Sequence, residues 1–116
     1  MEFFFHELEK DVLILKADGG LNADTARHFV AELERIIDGG ARKIIIDCES
    51  LEYISSYGLA VLIRLHKKLA QHGGDVRLAS VKGVVVKILR VTRLDRFFSI
   101  YPDTNQARLS FRPASA

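Results

Sequence analysis

An α/β fold in one domain is the architecture this sequence predicts, and three observations carry it. Short β-branched runs alternate with longer stretches of helical periodicity, glycine pairs punctuate the joints, and 116 residues that are 48% hydrophobic with two prolines make one core and no linker. Strand alternating with helix implies a mostly parallel or mixed sheet with helices packed against it.

The elements follow in order. Phe3 to Leu8 is short and aromatic, Glu9-Lys10-Asp11 is polar, and Val12-Leu13-Ile14-Leu15 is apolar, which predicts two strands in an N-terminal antiparallel hairpin. Gly19-Gly20 breaks the chain, and Asn22 or Asp24 is placed to cap a helix whose apolar positions Ala26, Phe29, Val30, Leu33 and Ile36/Ile37 recur at helical spacing until Gly39-Gly40 stops it. Lys43 to Cys48, apolar and β-branched at its centre, suits a central strand covered on both faces. Glu49 to Tyr53 reads as a polar loop. From Ser55-Ser56 a second helix carries Leu59, Leu62, Ile63, His66, Leu69 and Ala70 on one stripe and stops at Gly73-Gly74. Asp75 to Ala79 is a strand, and Ser80 is placed to cap a helix that turns Val84, Val85, Ile88, Leu89 and Thr92 inward. Phe97 to Tyr101 reads as a last strand. Asp103-Thr104-Asn105-Gln106 then has the capping pattern of a short C-terminal helix, with Arg112 to Ala116 a frayed tail of a single domain spanning 1–116.

Composition excludes several classes. Seventeen Lys/Arg against fifteen Asp/Glu leave a net charge of +2, which gives no general attraction to nucleic acid or acidic membrane. No apolar run approaches the roughly 20 residues that span a bilayer, and the start Met1-Glu2 lacks a basic leader. Cys48 stands alone, so no intramolecular disulfide or Cys-rich zinc site can form; a buried, inert thiol in a cytoplasmic protein is expected. No His-Glu-x-x-His or other ligand spacing predicts a metal, and none of the glycine pairs has the pattern of a phosphate-binding loop. Lys82, Lys87, Arg90, Arg93 and Arg96 lack interleaved aromatics and read as a solvated face, with no nucleic-acid partner.

The informative stretch runs from Ile44 to Leu62: an aliphatic strand ending in Asp47, an acidic loop, then Ser55-Ser56-Tyr57-Gly58-Leu59 opening a helix. Serine is a favoured N-cap, because its hydroxyl accepts a hydrogen bond from a free N–H of the first turn. The same turn exposes N–H groups and the positive end of the helix dipole, a setting in which a phosphate is tolerated. A phosphate there would add about −1.5 to −2 charge beside Glu49 and Glu52.

At these residues the chain resembles the STAS domain of bacterial anti-sigma factor antagonists. The likeness is carried by the strand ending in Asp47, by Tyr53-Ile54, and by Ser55-Ser56-Tyr57-Gly58-Leu59 with the apolar helix behind. Gly19-Gly20-Leu21-Asn22, Gly73-Gly74 and the Phe97-Phe98 region extend it over nearly the whole chain. It implies a STAS-like mixed β-sheet with about four helices. The family loop reads Asp-Ser-(Ser/Thr)-Gly-Leu, so alignment on Gly58 puts Ser56 at the phosphoacceptor, Ser55 at the aspartate and Tyr57 at the second hydroxyl, two departures from the pattern. By the same likeness, Asn22, Ser55, Ser56, Tyr57 and Gly58 form the partner-binding set. The partner is an anti-sigma factor serine kinase, with a phosphatase to reset the loop. The resemblance implies a switch protein rather than an enzyme, with no catalytic residue and no cofactor. Phe3 to Phe5 or Tyr57 could support weak self-association.

Rival readings rest on other residues. Asp47 at a strand end suggests a phosphate-accepting receiver, yet Asp18 before Gly19-Gly20 lacks the acidic neighbour that would hold Mg²⁺. A hydrolase would need Ser55 or Ser56 beside His6, His28, His66 or His72, and His66 sits on an apolar stripe, as a packed histidine does. The second reading within the family is a non-switching STAS scaffold or ligand-sensing module, in which Ser55 and Ser56 only cap a helix. The charge is also divided: residues 1–56 carry six Lys/Arg and twelve Asp/Glu, net −6, and residues 57–116 carry eleven and three, net +8. Ser56 ends the acidic half.

Overall fold

The computed structural model describes residues 2–9, 12–21 and 23–111, with the side chains of 2–9, 21 and 23 left aside. Its elements are β1 (Glu2–Glu9), β2 (Val12–Leu21), α1 (Ala23–Asp38), β3 (Lys43–Asp47), β4 (Leu51–Ile54), α2 (Ser56–Gln71), β5 (Asp75–Ala79), α3 (Val84–Val91), β6 (Ser99–Tyr101) and α4 (Thr104–Ser110). The strand order is β1-β2-β3-β5-β6, and β4 pairs with β2 off that path. β1 runs antiparallel to β2, and every other pairing is parallel.

β3 shows why its run is unbroken by polar residues. Ile44 and Ile46 face a core built from α1, α2 and α3, with Phe29, Leu33, Leu62, Leu65, Val85 and Leu89. Ile45 points the other way, where Val12, Ala79 and Ala107 form a smaller cluster under α4. Alternate side chains of a strand leave on opposite faces, so a strand covered twice must be apolar throughout. The large cluster extends to Cys48, which is 2% exposed.

Several sequence expectations are corrected. Residues 49–53 are not all loop, because Leu51–Ile54 form β4. β2 has ten residues and β3 five, so Gly19, Gly20 and Leu21 outrun β3, and β4 pairs with them. Their backbone groups thereby keep partners they would otherwise lack. Ser80 does not cap α3: it has a positive φ of 59°, its N–H donates to Tyr101 O, and its hydroxyl donates to Pro102 O at 3.5 Å. The N-cap is Gly83, also at positive φ and without a side-chain bond. Val84 and Thr92 face outward, and only Val85 and Leu89 of α3 are buried. On α2, Ala70 is exposed, while Val61 and Leu65 join the buried stripe. The last strand is only Ser99–Tyr101, because Phe98 leaves the strand line for the core. α4 has the expected start, with the Asp103 carboxylate accepting from Gln106 N at 2.7 Å. The tail at 112–116 and Asn22 lie outside the described residues.

Burial, with the Asp47 carboxylate adding to it, pushes the Cys48 thiol from 9.0 up to about 12. The folded chain therefore holds this proton more tightly than the unfolded chain does. Stability linked to Cys48 is full below pH 9 and is lost as the pH rises from there toward 12. Native protein is expected to resist a disulfide reagent at pH 8 and to react once unfolded in urea. Its urea midpoint should fall between pH 8 and pH 10 by more than that of Cys48→Ala. Rapid native labelling, or equal falls, would contradict this.

Candidate functional site

The site forms where strands end. β2 and β4 run parallel with Gly19 opposite Leu51, Gly20 opposite Tyr53 and Leu21 opposite Ile54, so the chain entering α1 and the chain entering α2 leave the sheet side by side. Ser55 follows Ile54 directly. Asn22, a partner-binding candidate, lies outside the described residues.

The two serines have different roles. Ser55 is the N-cap of α2: its backbone is extended and its Oγ accepts from Gly58 N at 3.1 Å. Leu59 N donates to Ser55 O at 2.9 Å, closing the first turn. A carboxylate at position 55 could accept the same bond, so the departure from the family's aspartate keeps the cap while removing its charge. The first turn of α2 then holds no acidic residue. Ser56 is the first residue of the helix; its hydroxyl makes no hydrogen bond among the described residues and its side chain is exposed. Tyr57 is 48% exposed, and Gly58 is buried, offering its backbone alone.

Two grooves flank β4. Successive strand side chains diverge, so Glu52 and Tyr53 line different ones. Glu52 faces a polar groove of about 590 Å³ with Asp18, Glu49 and Lys82. Tyr53 faces a groove of about 420 Å³ between α2 and α3, lined by Ser56 and Leu59 on one wall and Lys87, Ile88 and Val91 on the other. This second groove is apolar apart from Ser56, Lys87 and Thr92. Around it Tyr53 and Val91 are exposed at 49% and 83%, which is unusual for large apolar side chains set this closely.

Sequence reasoning missed this second groove. Ile88 and Val91, three residues apart, lie beside the buried pair Val85 and Leu89, and that second apolar line on α3 was the available signal. The basic residues Lys82, Lys87, Arg90, Arg93 and Arg96 are all exposed, as expected.

Two of the groups behind the rival chemistries are engaged elsewhere. Asp47 Oδ1 accepts from Glu49 N at 3.0 Å and shapes the β3–β4 turn. His66 is half-buried against Phe97 and Phe98, with ring centroids 4.6 Å and 5.8 Å away, and its Nε2 lies 3.5 Å from Asp75 Oδ1. Asp75 begins β5, whereas Ser56 follows the end of β4, so this histidine belongs to the opposite end of the sheet. Among the described residues no cluster of three His, Cys, Asp or Glu side chains could hold a metal ion, and no helix is long and apolar enough to cross a membrane.

Known proteins resemble this chain in sequence and in fold. The STAS domain family model matches residues 7–107. BtrV of Bordetella bronchiseptica, named as a candidate anti-sigma factor antagonist, is 34% identical over 94 residues, 81% of this chain and 78% of BtrV. The crystal structure of a candidate anti-sigma factor antagonist from Thermotoga maritima has a TM-score of 0.89 at 28% identity, covering 96% of this chain and 95% of that one. The Bacillus cell fate determinant SpoIIAA, solved in a phosphorylated form, has the same fold with a TM-score of 0.77 at 18% identity, covering 96% of this chain and all of the other.

Removing the cap has a defined cost. Ser55→Ala is expected to lose about 1 kcal/mol of stability. Ser55→Asp should keep the cap and gain about 0.3–1 kcal/mol from a negative charge at the helix N-terminus. Thermal melts at low salt check both signs, and a Ser55→Ala melt equal to wild type would contradict the assigned cap.

Proposed function

Because this chain belongs to the STAS domain family, we propose that it acts as an anti-sigma factor antagonist: a module that sequesters an anti-sigma factor serine kinase, frees the sigma factor, and is switched off by phosphorylation at Ser56. The observation that carries this reading is the division between the serines. Ser55 spends its oxygen on the helix cap, and Ser56 presents an exposed, uncommitted hydroxyl at the rim of an apolar groove. The named relatives and the phosphorylated SpoIIAA fold neighbour support it.

Docking uses the free Ser56 edge with Asn22, Ser55, Tyr57 and the Gly58 backbone, in the cytoplasm and without a cofactor. Transfer places the γ-phosphoryl group of ATP on Ser56 Oγ: a new P–O bond forms as the bond to ADP breaks, and the hydroxyl proton passes to a base of the kinase. The product carries about −1.5 to −2 charge where the contact had been neutral, and the complex separates. A phosphatase restores the hydroxyl.

A second reading has one observation in its favour. Tyr57, half-exposed beside Ser56, is bulky where the family loop has a small hydroxyl residue, which suits a non-switching scaffold whose serines serve the helix start alone.

Incubation with the cognate kinase and ATP, read by mass spectrometry, is expected to add one phosphate to wild type and to Ser55→Ala, and none to Ser56→Ala. In parallel, Ser56→Asp should bind the kinase at least tenfold more weakly than wild type. An unmodified wild type under conditions that modify another family member would defeat the switch, and unchanged binding by Ser56→Asp would favour the scaffold.

A further inference from the structure

The groove that Ser56 shares with α3 holds one charged side chain. Of the residues lining it, Lys87 is the one charged group, and it stands on the wall facing Ser56 and Leu59. Lys87 makes no ion pair among the described residues, although six other pairs form. Its own helix gives it no relief: Val84–Val91 contains no acidic residue, and Arg90 sits one turn on. Like charges at that spacing repel by a few tenths of a kcal/mol. The carboxylates that could answer it, Asp18, Glu49 and Glu52, line the other groove, where Lys82 already stands among them. A lysine without an ion pair and a serine without a hydrogen bond among the described residues thus line one groove, with Ile54, Leu59 and Ile88 between them.

We propose that Lys87 is the intramolecular receptor for the phosphate on Ser56, and that their pairing closes the apolar groove. This rests on Ser56 being the modified residue, and it names how modification turns the surface off. The phosphate supplies the anion that the basic helix lacks, and a phosphate–ammonium contact over an apolar floor is screened less than one in open water. The four methylenes of Lys87 then lie over Leu59 and Ile88 instead of pointing to solvent, since a lysine stem covers apolar surface while its head stays polar. A partner that packs into the groove between Tyr53 and Val91, beside the Ser56 edge, loses its floor. The mechanism differs from simple repulsion of a partner by the phosphate, because it removes a surface and does not depend on the partner's charge.

Phosphoserine installed at position 56 during translation separates this from the action of any kinase. By phosphorus NMR at low salt, its second ionisation, near pH 6 when free, is expected about half a pH unit lower in the Lys87 protein than in Lys87→Gln, with Lys87→Arg restoring the lower value. The Lys87 side chain is exposed, so these variants should fold alike, and thermal melts of the unphosphorylated forms check this. Binding gives the second readout. Phosphoserine should weaken the kinase complex by tenfold or more in the Lys87 protein and by less in Lys87→Gln. Equal ionisation in the Lys87 protein and in Lys87→Gln overturns the pairing and leaves the Ser56 switch standing; failure of the kinase to modify Ser56 overturns the switch and leaves the pairing to be read from the installed phosphate.

Discussion

The mismatch in length between β2 and β3 governs this molecule. A ten-residue strand beside a five-residue one leaves Gly19, Gly20 and Leu21 beyond the pairing of both β1 and β3, and the chain answers by pairing them with a second short strand. That strand delivers Ser55 and Ser56 to the same edge at which α1 begins. Two loops far apart in sequence become neighbours because hydrogen-bond donors and acceptors had to be matched. The grooves on either side of β4 follow from the same event, since a strand with Leu51 and Ile54 buried must turn Glu52 and Tyr53 outward in opposite directions.

What could be read from the sequence was what is local or periodic. Ile44 to Ile46 declared a doubly covered strand, the stripe of α1 declared its inner face, and Asp103 with Gln106 declared a cap. Ser55 and Ser56 were visible as a hydroxyl pair at a helix start, but which one caps depends on a single bond to Gly58. β4 was hidden because four residues with a buried-exposed-exposed-buried pattern show no alternation, and their partners lie far upstream. The start of α3 misled for a similar reason: Ser80 is spent on Tyr101 and Pro102, contacts that only the β5–β6 pairing creates. The groove around Tyr53 and Val91 joins three elements and has no counterpart in any one segment.

The division of charge also takes on a spatial meaning. The acidic half of the sequence supplies Asp18, Glu49 and Glu52 to one side of β4, where Lys82 is their one basic neighbour, and the basic half supplies Lys87 to the other. Ser56 stands between a carboxylate groove and an apolar groove with a lysine in its wall. A net charge of +2 conceals this contrast, which is local and steep.

Cys48 has a practical consequence outside the biology. It is the only cysteine of the chain and is sealed in the core with its proton held by burial, so the folded protein is expected to be silent toward maleimides and nitroxide reagents. Thiols placed at exposed positions on the lips of a groove would be the sole sites of attachment, with no native residue replaced in the interior. A pair of spin labels there could follow the width of the crevice in solution, on a background free of native signal.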